Sequence, residues 1–322
     1  MKTIDFCVKD ETFQIPNAWE LLTPSQYEAL VKDLNKVALG ELSVAMLRVN
    51  FVCNVMEWDP KKIKGEESLA NLAWLAEQVT FIFNIQYPEN NEALKGLDPE
   101  TRVKLQKTPP DRIQGLPIAR YLVRLDYKYV LDACFCAQLI PSIKIVGKVY
   151  AGYKVDTSFD NLTCSLTALQ YIEARKLIGC GADKLPLLVA ILYTPGTYSS
   201  EVAHALAHDF ARLPEDTLQA IAFNFQCFNN FLFTKPDFYV LTAGKEQKEN
   251  PISTGALESL YNLSSDGMGD IRTVEQMNII QYLTILRKKL IESVRSMNDM
   301  KLERTEIASK TGLPLNIINS IL

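Results

Sequence analysis

LTPSQYEALVKDLNKVA, residues 22–38, sets the architecture of this chain. Thr23 stands where an N-cap side chain accepts a backbone N–H. Pro24 suits the first helical position, and Gln26 completes a capping box. Tyr27, Leu30, Val31 and Leu34 then recur at the three-and-four spacing of one helical face, so the stretch predicts an amphipathic helix with that stripe turned inward.

Upstream, TIDFCVKDETFQI reads as two short alternating strands joined at Lys9-Asp10-Glu11, a hairpin too small to stand alone. Downstream, ELSVAMLRVNFVCNVM (41–56) is apolar nearly all round, which predicts a helix buried on several sides. SLANLAWLAEQVTFIF (68–83) restores a stripe through Leu72, Leu75, Val79 and Ile82. Three helices are therefore expected after the hairpin. Residues 88–117 turn polar and proline-punctuated and read as a surface connection.

Beyond it, RYLVRLDYKYVLDACFCAQLI carries both helical and strand spacing, and residues 118–140 stay open between the two. IKIVGKVYAGYKV is extended, with Gly147 and Gly152 as turn or bulge points. The rest is helical: SLTALQYIEARKLI, LPLLVAILY, SSEVAHALAHDFARL, PEDTLQAIAFNFQCFNNFLF, ISTGALESLYNL and TVEQMNIIQYLTILRKKLIESVRSM, the last with a capping box at Thr273 and Gln276. The expected fold class is mainly α, a helical protein in two parts with small β-hairpin elements at the start of each half. The expected divisions are 1–87 (hairpin plus helical unit), 88–117 (connection), 118–300 (mixed, then helical) and 301–322 (a C-terminal helical hairpin).

The opening pattern has an echo. FQIPNAWELLTPSQYEALVKDL (13–34) runs from an extended segment into L-T-x-x-Q-Y and a helix, and YKVDTSFDNLTCSLTALQYIEARKLI (153–178) repeats that order. A capping box entering an amphipathic helix accounts for the echo as well as a duplication does. The F-x-I-P-x-x-W into L-T-x-x-Q-Y arrangement, its second copy at mid-chain and the long C-terminal amphipathic helix together resemble helical virion and tail-assembly proteins of bacteriophages and prophages of gut bacteria. That resemblance implies a tail component or tail-assembly chaperone, without enzyme chemistry or cofactor. Its partners would be other phage structural or assembly proteins, its place the virion or host cytoplasm, and an oligomer is compatible with it.

Composition agrees with a folded chain: 322 residues, 48% hydrophobic and 22% charged. With 34 basic and 38 acidic residues interspersed, the net charge of -4 provides no basic field for a phosphate backbone. MKTIDFCVKD lacks the apolar core of a signal peptide, and LPLLVAILY is far shorter than the roughly 20 residues that cross a bilayer, so a soluble cytoplasmic protein is expected. The seven cysteines are scattered and mostly apolar in setting, which predicts reduced, buried thiols.

Three patterns carry candidate chemistry. Glu201, His204 and His208, in EVAHALAHDF, fall on one helical face and are candidate ligands for a metal-dependent hydrolase. Against that reading, Ala205 stands where H-E-x-x-H needs its glutamate, and the chain has no further histidine. The expectation is no metal, no cofactor and no catalytic residue, supported by the lack of a dinucleotide, phosphate-loop or nucleophile-elbow motif. Second, ERTEIASKTGLPLNIINSIL is spaced like a helix-turn-helix, the basis of an alternative reading as a DNA-binding adaptor, but PLNIINSIL has no Arg or Lys for phosphate or base contacts. Third, Ile279, Leu283, Leu286, Leu290, Val294 and Met297 step by four and three with Arg287, Lys288, Lys289, Glu292 and Arg295 beside them. That seam packs either on the chain's own second part or on a partner, and Leu283, Leu286, Leu290 and Val294 are its candidate partner-binding residues.

Overall fold

The computed structural model describes residues 2–8, 10–87, 94, 96–108, 113, 127–158, 161–234, 237–243 and 256–322. Across them the chain is mainly α-helical, with thirteen α-helices and four two-stranded antiparallel sheets among the described residues. No described helix is long and apolar enough to cross a membrane. The chain divides into two compact units, Met1–Ala133 and Cys134–Leu322.

In the first unit β1 (Thr3–Val8) and β2 (Glu11–Pro16) form the hairpin, in a register running from Thr3 opposite Pro16 to Val8 opposite Glu11. Helix α1 (Pro24–Ala38) starts as its sequence dictates. The Thr23 side chain accepts from Gln26 N–H, the Gln26 side chain accepts from Thr23 N–H, and Tyr27, Leu30, Val31 and Leu34 are buried. Trp19, just upstream, donates its indole N–H to the Asp132 carbonyl at 2.9 Å and meets Phe81 edge-on at 5.0 Å, so the entry to α1 is clamped by a residue far along the chain.

Helix α2 (Val44–Val55) buries Leu47, Phe51, Val52 and Cys53, but Met46 is 49% exposed. Burial on several sides, as expected, is reached in its second half, where the successive Phe51, Val52 and Cys53 are all buried. Helix α3 (Glu66–Glu77) carries the expected Leu72 and Leu75. It stops before Val79 and Ile82, both fully buried beyond its end, and Phe83 already begins β3 (Phe83–Gln86). The reason is tertiary: β3 pairs with β4 (Lys128–Leu131), Phe83 opposite Leu131, and ladder bonds to a distant strand replace the next helical turn.

The span 88–117, read from sequence as a connection, contains α4 (Pro99–Lys107), capped by Asp98 accepting from Thr101 N–H. Its Leu105 shares a buried cluster with Ile85, Tyr87 and Ile113. Of the stretch left open between helix and strand, Lys128–Leu131 is strand and 132–140 is not regular, while 118–126 lie outside the described residues.

The second unit opens irregularly and then forms a hairpin of β5 (Ser142–Ile145) and β6 (Lys148–Ala151). Val146 and Gly147 turn it with φ of 47° and 79°, the left-handed pair that a two-residue hairpin turn needs. Gly152 is a close approach: a Cβ there would sit 3.0 Å from the Tyr193 ring. The short pair β7 (Val155–Asp156) and β8 (Thr163–Cys164) leads to α5 (Ala168–Leu177), whose capping box, Thr167 with Gln170, repeats that of α1. Gln170 further donates to the Ile191 carbonyl at 2.7 Å, tying this box to α6 (Leu185–Leu192). Then follow α7 (Ser200–Phe210), α8 (Glu215–Leu232), α9 (Ala256–Ser265), α10 (Ile271–Glu275), α11 (Ile279–Asp299), α12 (Arg304–Thr311) and α13 (Leu315–Ile321).

The expected long helix from Thr273 is thus two helices. Asp270, not Thr273, caps α10, and Asn278 caps α11. Between them the chain pairs with the segment leading into α5: Ala168 N–H donates to Met277 O at 2.8 Å, Ile279 N–H to Leu166 O at 3.0 Å, and the Asn278 amide to Cys164 O. Those bonds demand extended backbone and override the local capping signal.

Burial in this fold holds several phenols un-ionised. Tyr87 is pushed up to about 12, first by burial and then by Tyr127 and Tyr129. Burial likewise raises Tyr153 and Tyr171, and Tyr198 is raised by burial and then by its hydrogen bond to Glu173. A raised folded value means stability that is complete below the ordinary value of 10.0 and lost as the pH climbs from there toward the folded values. In an alkaline titration followed by phenolate absorbance, these four tyrosines should stay protonated while circular dichroism is native, then ionise together with unfolding. Ionisation of every tyrosine near 10 with the helical signal intact would contradict this burial.

Candidate functional site

Glu201, His204 and His208 do share a face of α7, and all three are exposed, opposite the buried Ala203 and Phe210. They do not converge. Glu201 and His208 stand two helical turns apart, about 10 Å along the axis. Among the described residues no group of three or more His, Cys, Asp or Glu side chains is gathered to hold a metal. None of the seven cysteines forms a disulfide; Cys53, Cys164 and Cys227 are buried, whereas Cys7 and Cys180 are exposed, against the expectation of buried thiols. Burial pushes the Cys164 thiol up to about 12, away from nucleophilic use.

A polar cluster lies nearby in the second unit. Glu173 on α5 accepts from the Tyr198 hydroxyl and, at 2.6 Å, from the Ser200 hydroxyl at the start of α7, while the Gln276 side chain donates to the Tyr198 carbonyl at 3.1 Å. Both carboxylate oxygens are engaged within the fold, so the group ties α5 to the approach of α7.

The apolar seam of α11 is also occupied from within its own unit. Leu283 is 4% exposed and Val294 fully buried. Val294 forms a cluster with Ile307, Leu313 and Ile318 of the C-terminal segment, against which Leu290 and Met297 pack, and Leu286 is half-buried. The C-terminal segment is a helical hairpin, α12 ending at Gly312 with φ 73° before α13. Its inward residues are spent on α11, and α13 carries no lysine or arginine.

A large open groove with apolar side chains on both walls is in the first unit. It measures about 850 Å³ and runs between β1 and α3, with Phe6, Cys7 and Val8 on one side and Trp58, Ile63, Leu72, Trp74 and Leu75 on the other. Phe6 stacks on Phe13 at 5.6 Å and meets Trp58 edge-on at 6.3 Å, so the floor is rigid. Two apolar side chains on it are open to solvent: Trp74 is 56% exposed and Val8 42%. Lys62, Lys64 and Glu67, all exposed, also line it, and Lys62 lies 3.9 Å from Asp59. A second groove, of about 390 Å³, lies between α1 and α2, and its Asp33 is already engaged by Lys36 at 2.7 Å and Asn50 at 2.9 Å.

The groove beside β1 was missed in the sequence because its parts come from a strand, a loop and a helix. One signal was present. Trp74 falls off the stripe of Leu72 and Leu75, so a large aromatic had to face outward on α3. Compared with protein-family models, with curated proteins and with solved structures, the chain matches none.

Proposed function

We propose that this chain is a non-catalytic structural or assembly protein of a bacteriophage or prophage particle, a tail component or tail-assembly chaperone, that works by protein–protein contact. The observation that carries the contact reading is the groove beside β1, where Trp74 and Val8 are 56% and 42% exposed around a recess lined by Phe6, Trp58 and Leu75. A contiguous apolar surface of this kind favours a protein partner, and tryptophan is a preferred anchor at such contacts. The phage context rests on the sequence resemblance through L-T-x-x-Q-Y at both helix starts; the virion or the host cytoplasm is the corresponding place of action.

The test is co-expression with the products of the genes adjacent to its own, followed by affinity purification and size-exclusion chromatography. A neighbouring tail protein should co-elute. Trp74→Glu should lose that partner while retaining the melting temperature to within a few degrees, because an exposed substitution outside the core changes stability by only about 0.5 kcal/mol. No complex with any neighbouring product, or a complex indifferent to Trp74→Glu, would overturn the proposal.

A further inference from the structure

The groove has a feature that defines the shape of its occupant. Phe6, Cys7 and Val8 all line it, although alternate side chains of a strand point to opposite faces, and no residue of β2 lines it. A recess touching three successive residues of β1 and none of its partner strand lies along the outer edge of β1.

Among the described residues no strand pairs with that edge. Asn17 N–H donates to Lys2 O at 2.7 Å, which makes Lys2 and Asn17 a hydrogen-bonded pair of the antiparallel ladder. With the register Ile4–Ile15, Phe6–Phe13 and Val8–Glu11, the alternation assigns the ladder bonds to those pairs and turns the N–H and C=O of Thr3, Asp5 and Cys7 away from β2. The position of Pro16 opposite Thr3 agrees, since a residue without an N–H belongs where the ladder asks for none. The same proline blunts the outer edge of β2, whereas the outer edge of β1 has no proline, and Asp5 and Cys7 are exposed.

We infer that an extended segment of a partner polypeptide adds to β1 as a third strand, bonding to the main chain of Asp5 and Cys7 and laying alternate apolar side chains into the groove. The inference rests on the contact reading above and names its mode, strand addition at a free sheet edge. Side chains opposite Phe6 and Val8 fall on the apolar face, toward Trp58 and Trp74; the one opposite Cys7 falls on the polar face, where Cys7 lies beside Thr12 and Asp5 accepts from Gln14 at 2.8 Å. Of the charged groups on the groove, Lys62 lies 3.9 Å from Asp59 and Glu67 offsets one positive charge, and Lys64 is the cation that an acidic residue flanking the apolar positions would meet. A second copy of β1 fits less well. Its Asp5 points to the polar face and is held by Gln14, and its Lys2, on the side of Ile4 and Phe6, would add positive charge to Lys62 and Lys64.

The probes are two synthetic peptides alternating valine and threonine, identical but for a terminal glutamate pair in one and a lysine pair in the other. Binding is read by anisotropy, and the Thr3, Asp5 and Cys7 amides by hydrogen exchange in NMR. The glutamate peptide should bind about tenfold more tightly, equivalent to ~1.4 kcal/mol. Lys62→Glu with Lys64→Glu, both surface changes, should reverse the order, and the Asp5 and Cys7 amides should slow in the bound state. Absence of binding, equal affinities, binding without slowed exchange at Asp5 and Cys7, or a free-protein dimer that protects the same amides would each overturn strand addition. The two readings fail separately. If Trp74→Glu abolishes the complex with a neighbouring tail protein while these amides exchange freely in that complex, the contact reading stands and strand addition falls.

Discussion

Leu290→Asp combined with Val294→Asp should unfold the C-terminal part of the second unit. Val294 is fully buried with Ile307, Leu313 and Ile318, and Leu290 packs on the same cluster, so two carboxylates would enter an apolar site in which none of the clustered side chains can pair with them. Lost packing and charge burial act together, and a loss above about 4 kcal/mol is expected. Circular dichroism should show a lower helical content with α11, α12 and α13 melting early. Lys288→Ala is the contrast: its pair with Glu292 is 3.7 Å long and largely exposed, worth at most about 0.5 kcal/mol. A double variant with unchanged helicity and melting would mean that the seam is not part of the core, and Leu283, Leu286, Leu290 and Val294 would return as candidates for a partner surface.

Asn224→Ala should be the most damaging polar substitution in the same unit. Asn224 is fully buried on α8; its amide oxygen accepts from Leu139 N–H at 2.7 Å and its amide nitrogen donates to the Ala137 carbonyl at 2.8 Å. One side chain thereby substitutes for the ladder bonds that the irregular segment 134–140 does not make. Alanine orphans a backbone donor and a backbone acceptor away from water, for an expected loss of about 3 kcal/mol measured by chemical denaturation. Asn224→Asp separates the two bonds. Its carboxylate still accepts from Leu139 but cannot donate to Ala137, so its stability should recover as the pH falls and a proton becomes available for that second bond. Equal stability of wild type and Asn224→Ala would remove this tether from the account of the fold.

Much of the local structure was legible because its causes are local. The capping boxes at Thr23–Gln26 and Thr167–Gln170 formed as read, since a side chain three residues away satisfies a helix's first N–H groups whatever surrounds it. The stripe of Tyr27, Leu30, Val31 and Leu34 is buried for a similarly short-range reason, the 3.6-residue period. Gly312 ends α12 for a local reason too, since its left-handed backbone carries no Cβ penalty there.

The sequence by itself therefore determined the mainly α class, most helix starts and the apolar faces. Tertiary structure alone decided three things. It ended α3 before Val79, because β3 found β4 across some forty residues of chain. It broke the helix expected from Thr273, because residues 277–279 bond to the strand-like entry of α5 more than a hundred residues earlier. It also made the groove, because Phe6, Trp58 and Trp74 belong to three elements and no periodicity relates them. In each case the deciding partner is remote in sequence, and the bonds and apolar contacts it supplies outweigh propensities of a few tenths of a kcal/mol per residue (about 0.7 at most for ordinary residues).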